Sequence, residues 1–208
     1  MKISILCPSE DHPVYTPIHE WGWVSPHEVE LVYDKEDLTD GDILFLISCN
    51  EIIQSEYLDC FTHSLVIHAS DLPNGKGWSP HIWQTLKGRK EICVSLIEAR
   101  ESVDSGDIWK QKTFKLEGHE LYNEINDLLF KAELKLMDYA VENYKTVVPV
   151  KQKDGGSYYR KRTPADSELD PDKSIAEQFD LLRVADPERF PAFFKLRGCT
   201  YKLDIRKH

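Results

Sequence analysis

Apolar and polar positions along this chain change period several times, and each period predicts an element. Lys2 to Cys7 and Asp42 to Ser48 (Asp-Ile-Leu-Phe-Leu-Ile-Ser) are near-continuous apolar runs of strand length, the pattern of strands covered on both faces. His27 to Tyr33 and Ser64 to His68 are patterned as further strands, with helices expected from Pro13 to Trp23 and from Gln54 to Cys60. Strands alternating with helices predict a mainly parallel sheet with helices on both faces. A helix from Ser79 to Leu86 follows, stopped by Gly88. Glu91 to Ala99 and Asp107 to Leu116 then read as strands only seven residues apart, so the sheet is expected to acquire a differently connected pair here.

From His119 to Tyr144, Leu121, Ile125, Leu128, Ala132, Leu136 and Ala140 recur every three or four residues, which predicts a long amphipathic helix packed along the sheet. The turn Asp154-Gly155-Gly156-Ser157 marks a boundary. Beyond it, Tyr158 to Arg162, a helix opened by the capping box Ser174-Ile175-Ala176-Glu177, and Cys199 to Ile205 make a smaller region. The chain is therefore divided into an α/β core over residues 1–148 and a small C-terminal α+β extension over 149–208.

With 208 residues, 41% of them hydrophobic and 30% charged, the chain can bury enough apolar surface to fold. Its formal charge of −10 opposes attraction to phosphate backbones, which weighs against a nucleic-acid partner while leaving room for a small anion held by a local basic cluster. Five cysteines without CxxC spacing are expected to be buried reduced thiols. No His, Cys, Asp or Glu group has metal-ligand spacing, so no metal is expected. No apolar run reaches membrane-spanning length and the first residues do not make a signal peptide, so the expected location is the cytoplasm. A homodimer is compatible with all of this.

One stretch departs from packing logic: Val66-Ile67-His68-Ala69-Ser70-Asp71-Leu72-Pro73-Asn74-Gly75-Lys76-Gly77-Trp78-Ser79-Pro80. A strand that delivers a His into a Pro/Gly-rich loop at its carboxyl end puts it where open α/β sheets bind ligands. Thirty-six residues after His68, Val103-Asp104-Ser105-Gly106-Asp107 is a tight turn that exposes a carboxylate beside a strand start. Singly, such a His is more often a structural group and such a turn is usually only a turn. Together they are the minimum equipment for managing protons.

These residues resemble the folate-dependent formyltransferases, whose branches act on glycinamide ribonucleotide, methionyl-tRNA and amino sugars. That signature is Asn-x-His-x-Ser-x-Leu-Pro, a Gly-rich loop, then an Asp-x-Gly turn after a further strand. His68-Ala69-Ser70-Asp71-Leu72-Pro73, Gly77-Trp78-Ser79-Pro80 and Asp104-Ser105-Gly106 match it in order and spacing. The resemblance implies a Rossmann-like core and N10-formyltetrahydrofolate as formyl donor. It implies that His68 hydrogen-bonds the formyl oxygen, that Asp104 orients the His or relays protons, and that the pterin lies against main chain at Asn50, Glu51, Ile52, Ile53 and at Arg100, Glu101, Ser102, Val103. One position departs from the family. Val66 stands where it has Asn, which removes an oxyanion donor worth a factor of about 10² to 10³. An ordered water beside His68, or Asn50, is expected to take its place.

Tyr158-Tyr159-Arg160-Lys161-Arg162-Thr163-Pro164-Ala165-Asp166 is similar to the Arg-Thr-Pro-x-Asp segment of the sugar N-formyltransferases. The resemblance implies a nucleotide-linked amino sugar as acceptor, with a lean to a UDP-linked 4-amino-4,6-dideoxy hexose of a surface polysaccharide. Ser70, Lys76, Gly77, Trp78, Tyr158, Tyr159, Arg160 and Arg162 are the expected acceptor contacts, since Arg and Lys suit a pyrophosphate and aromatic faces suit a base. Methionyl-tRNA is disfavoured by the acidic charge and by the lack of room for an added tRNA-gripping barrel. Two readings from different classes stay open, this enzyme and a non-catalytic binding module on the same fold; another amine acceptor is a third.

Overall fold

The computed structural model describes residues 1–208. Strands β1 (Lys2–Leu6), β2 (Glu28–Val32), β3 (Gly41–Leu46), β4 (Phe61–His68), β6 (Glu91–Glu98) and β7 (Ile108–Lys115) form one sheet in the order β2-β1-β3-β4-β6-β7. The pairs from β2 to β4 are parallel; β6 runs antiparallel to β4, and β7 antiparallel to β6. The sheet is thus mainly parallel, with the short-loop pair of the second half as its differently connected part.

Helices α1 (Tyr15–Val24) and α4 (Tyr122–Asn143) cover one face, burying Ile18, Ala132, Leu136 and Ala140 in one cluster with Ile3, Ile5, Phe45, Leu65 and Leu96. Helix α2 (Ser55–Leu58) covers the other face, over Leu6, Leu44 and Leu46. Along α4 the expected stripe is real but wider: Leu121 and Leu128 are half-buried, while Leu129, Phe130 and Met137 are buried beside Ile125 and Ala132. The helix is opened by Glu124, whose carboxylate accepts the Leu121 N–H. No helix is long and apolar enough to cross a membrane.

The C-terminal residues add β8 (Tyr158–Tyr159), β9 (Glu168–Leu169), α5 (Phe179–Arg183), β10 (Ala192–Leu196) and β11 (Cys199–Leu203). Strands β10 and β11 are a hairpin whose turn, Arg197-Gly198, has both residues at positive φ, the two-residue turn that matches strand twist. Its own buried apolar cluster is Leu169, Leu182 and Ala192. Three such side chains, one of them an alanine, are too few to order sixty residues on their own. The extension instead leans on the main core, with Val184 buried beside Ile82, Ile92, Leu116 and Ile125.

Two local expectations are corrected. Ser174 and Glu177 do bond reciprocally, but they open only a single 3-10 turn before α5, because Ile175 is exposed and the segment has no apolar stripe to dock. Of the five free cysteines only Cys7 is buried; Cys49 and Cys93 are half-buried, and Cys60 and Cys199 are exposed.

Candidate active site

His68 is the last residue of β4, the strand at which pairing switches from parallel to antiparallel. Its side chain is buried, with Nδ1 3.4 Å from Asp104 Oδ1. His68 and Asp104, chosen in the sequence thirty-six positions apart, therefore meet at one mouth of the sheet. On its other side, His68 Nε2 lies 2.8 Å from the Gly75 carbonyl. A carbonyl only accepts, so Nε2 carries a hydrogen, and Nδ1 is the nitrogen whose protonation can change.

Asp104 is held from two directions. Its Oδ2 accepts the Gly77 N–H at 2.8 Å, and its carbonyl accepts the Gln152 side-chain amide at 2.9 Å. The same amide donates to the Gly106 carbonyl at 2.7 Å. Asp104 has φ 49, a left-handed conformation that Asp tolerates better than most residues. Gly106 is required for space: a Cβ there would lie 1.7 Å from the Glu98 carbonyl oxygen.

The loop after β4 is fixed by the extension. β5 (Lys76–Gly77) pairs in parallel with β8, and the N–H groups of Gly75, Lys76 and Trp78 donate to the carbonyls of Ser157, Ser157 and Tyr159. Gly77, at φ 94, would place a Cβ 2.4 Å from the Tyr159 carbonyl. The His68 orientation thus passes through Gly75 to a segment eighty residues downstream.

The expected donor-side segments come together. Glu101 accepts from Ser55 N and Oγ at 2.9 and 2.8 Å, which ties Arg100–Val103 to the start of α2, two residues beyond Ile53. The main-chain N–H groups of both segments make no hydrogen bond within the protein, and Ile52 and Val103 expose apolar side chains. Free main-chain donors beside exposed apolar groups fit a flat heteroaromatic ring read through backbone. Ile53 is buried, Glu51 pairs with Lys35, and Arg100 pairs with Glu98. Asn50 is exposed, and Val66 packs half-buried against the α2 face.

The expected acceptor residues separate into two groups. Tyr159 stacks on Trp83 with centroids 6.3 Å apart and carries Lys87 4.5 Å from its centroid. Arg160 lies over Trp83 and is clasped by Asp166, while the Trp83 indole N–H donates to the Arg160 carbonyl. Ser70 is sealed beneath the loop. These residues hold structure together. Lys76, Gly77 and Trp78 line the loop, half-buried, with Lys161 over the Trp78 ring; Tyr158 is exposed. Arg162 differs from all of them: it is 8% exposed, donates to Ser167 Oγ at 3.0 Å, and has no carboxylate in contact.

Gly75, Gln152, His12 and His81 were not singled out in the sequence. Gly75 acts through its main chain, and Gln152 through a side-chain amide that reaches main-chain carbonyls far back in the chain, contacts that only the folded path reveals. His81 does follow the signature Pro80 directly, and that adjacency was the available signal. No group of three or more His, Cys, Asp or Glu side chains is gathered as a metal-binding set.

A family model described as formyl transferase matches residues 23–141, more than half of the chain. The methionyl-tRNA formyltransferase of Finegoldia magna is 28% identical over 117 residues, 56% of this chain and 38% of that protein. The chain spans half or less of the length of such curated relatives. Among solved structures, HypX from Aquifex aeolicus in complex with tetrahydrofolic acid superposes with a TM-score of 0.78 at 20% identity, over 96% of this chain and 36% of that one. A sugar N-formyltransferase from Shewanella sp FDAARGOS_354 superposes at 0.73 and 15% identity, over 100% of this chain and 98% of that one. At such identities the superpositions speak for the fold. The family match, the signature around His68 and the Asp104 turn agree, and this chain belongs to the formyl transferase family.

Proposed function

We propose that the protein is an N-formyltransferase that moves the formyl group of N10-formyltetrahydrofolate onto the amine of a nucleotide-linked amino sugar. The observation that carries the reading is the meeting of His68 and Asp104 between two unlike walls. One is the main-chain slot of Asn50–Ile53 and Arg100–Val103; the other contains the buried guanidinium of Arg162. Bound in the slot, the folate supplies an electrophilic formyl carbon.

The amine that attacks this carbon becomes over-protonated while the formyl oxygen gains negative charge, so the site needs a base and a donor. His68 Nδ1 serves both needs in turn. With Nε2–H held by the Gly75 carbonyl, His68 Nδ1 takes the proton that the attacking amine sheds while Asp104 balances the charge, and the same proton passes to the folate nitrogen as its bond to the formyl carbon breaks. Val66 offers no hydrogen bond, so His68 acts without a second side-chain donor on its strand, assisted by water. This favours the enzyme over the non-catalytic module, because a mere binding pocket has no use for a carboxylate held against an imidazole.

The test is to incubate the protein with N10-formyltetrahydrofolate and a panel of UDP- and dTDP-linked amino sugars, reading product mass. A gain of one formyl group on one of them supports the proposal; none on any of them sinks the acceptor class. The curated relatives favour a second reading, methionyl-tRNA as acceptor, and the charge of −10 speaks against it. Formylation of charged initiator tRNA in the same assay would replace the sugar reading.

A further inference from the structure

Beside the His68–Asp104 pair lies a second group of polar side chains, His12, His81 and Arg162, that the proton transfers above do not use. Arg162 is the buried arginine without a carboxylate in contact: Arg183 reaches Asp180 and Glu120, whereas Arg162 has only the Ser167 hydroxyl and the Phe190 ring, 5.3 Å from the guanidinium carbon. A buried unpaired cation is costly, in general several kcal/mol, unless an anion joins it. Its Nε is sealed without a partner, and its Nη1, which bonds nothing in the protein, is not sealed.

The histidines around it are donors by the same reasoning. His12 Nδ1 accepts the Val14 N–H at 3.2 Å, so the hydrogen of a neutral His12 sits on Nε2, which has no partner. His81 Nδ1 is sealed with no acceptor near, so its hydrogen belongs on the open Nε2, also without a partner. Burial, reinforced by neighbouring positive groups, holds both rings neutral: His12 is pushed down to about 4, with Arg189 adding to burial, and His81 to about 3, with His12, Arg162 and His68 adding to burial. Two neutral imidazoles can supply hydrogen bonds next to a guanidinium without repelling it. The two carboxylates whose charge reaches Arg162, Asp166 and Asp186, are already bonded to Arg160 and Arg189.

We propose that His12, His81 and Arg162 together receive the phosphoryl oxygens of the acceptor's pyrophosphate, with Arg162 supplying the charge and the two imidazoles supplying neutral N–H donors. This rests on the nucleotide-linked acceptor proposed above and assigns its anion to named groups. It sets Arg162 apart from Arg160, which is two residues away and already clasped by Asp166.

The experiment is calorimetric titration of the full chain with inorganic pyrophosphate in the presence of a non-reactive folate analogue. Wild-type protein is expected to bind it. Arg162→Lys, chosen to keep the charge and the fold while losing the fork, is expected to weaken binding by about tenfold, and Arg162→Met by more. His81→Phe is expected to cost about fivefold, the worth of one ordinary hydrogen bond, with partial recovery in His81→Gln. Affinity for the folate analogue is expected to be unchanged in all four. Absence of pyrophosphate binding by wild type, or variants that are folded by thermal melt and bind it as wild type does, would overturn the assignment. If pyrophosphate binds as expected but no amino-sugar nucleotide is formylated, the pocket stands and the acceptor reading falls; if formylation occurs and the variants bind normally, the reverse holds.

Discussion

The two walls beside His68 are built on opposite principles. On the folate side, Asn50–Ile53 and Arg100–Val103 offer main-chain groups on exposed loops, and their charged side chains are turned to Lys35, Ser55 and Glu98. On the acceptor side as proposed, recognition falls to the buried Arg162 and the half-buried His12 and His81, beside the stacked Trp83 and Tyr159. A wall made of backbone tolerates change of residue type, because any residue carries the same amide. A wall made of buried charge does not, because a lost partner leaves an orphan behind. The donor side should therefore be the tolerant one, and the acceptor side the one on which single substitutions alter specificity.

The comparison can be broken at its centre first. His68→Asn is expected to lower turnover at least about 10³-fold with an unchanged melting temperature, since the group serves as both base and donor. Robust turnover by that variant would end the mechanism. Next comes the hinge between the walls: Gly106→Ala, which forces a Cβ into the Glu98 carbonyl, is expected to cost about 3 kcal/mol or more in urea unfolding and to weaken both ligands together.

A third variant touches neither wall. Burial on α4 raises the Glu133 carboxyl from 4.5 to about 8. Its contribution to stability is fully present below pH 4.5 and is lost as the pH rises through about 8, because the unfolded chain releases that proton first. Glu133→Gln is expected to stabilise by about 2 kcal/mol at alkaline pH and by little in acid, discounting a nominal 1.4 kcal/mol per unit for partial exposure. Melts of both proteins across pH measure it, and equal gains at every pH would contradict it.

Two further substitutions separate the walls. Arg162→Glu, which replaces attraction by repulsion, is expected to raise the acceptor's apparent KM by about a hundredfold or more while leaving that of the folate within about twofold. Equal changes in both would mean that Arg162 supports the fold and not the acceptor. Asn50→Ala, the mildest, is expected to alter folate affinity by less than about threefold, since its exposed side chain bonds nothing. A collapse of turnover in this variant with folate binding intact would show that Asn50 substitutes for the donor missing at Val66.

Much of this arrangement is legible in the amino-acid pattern, for reasons that also explain what is not. Apolar runs dictate buried parallel strands, so β1, β3 and β4 and the long α4 lie within a few residues of where periodicity puts them. His68 and Asp104 are visible because each interrupts an apolar strand or turn with a titratable group. The division between Arg160 and Arg162 was not visible, because both sit in one basic run and only the three-dimensional path decides which is clasped by Asp166 and which is buried. Strand β10 was missed as well: Ala192–Leu196 becomes a strand by pairing with Glu168–Leu169 and with β11, a nonlocal event without a strong local period. The roles of Gly75 and Gln152 follow the same rule, since Gly75 is fixed by the distant Ser157 carbonyl and Gln152 reaches back to the Asp104 carbonyl.

The short ladder between β5 and β8 has a consequence in time. During synthesis, β4 and His68 emerge ninety residues before Tyr159, and until that segment docks, nothing in the sheet fixes the Gly75 carbonyl against the imidazole. A nascent chain that has completed its whole central sheet therefore still lacks this contact. The orientation of His68 is a late event, set by residues 157–159 and not by the strand that carries it.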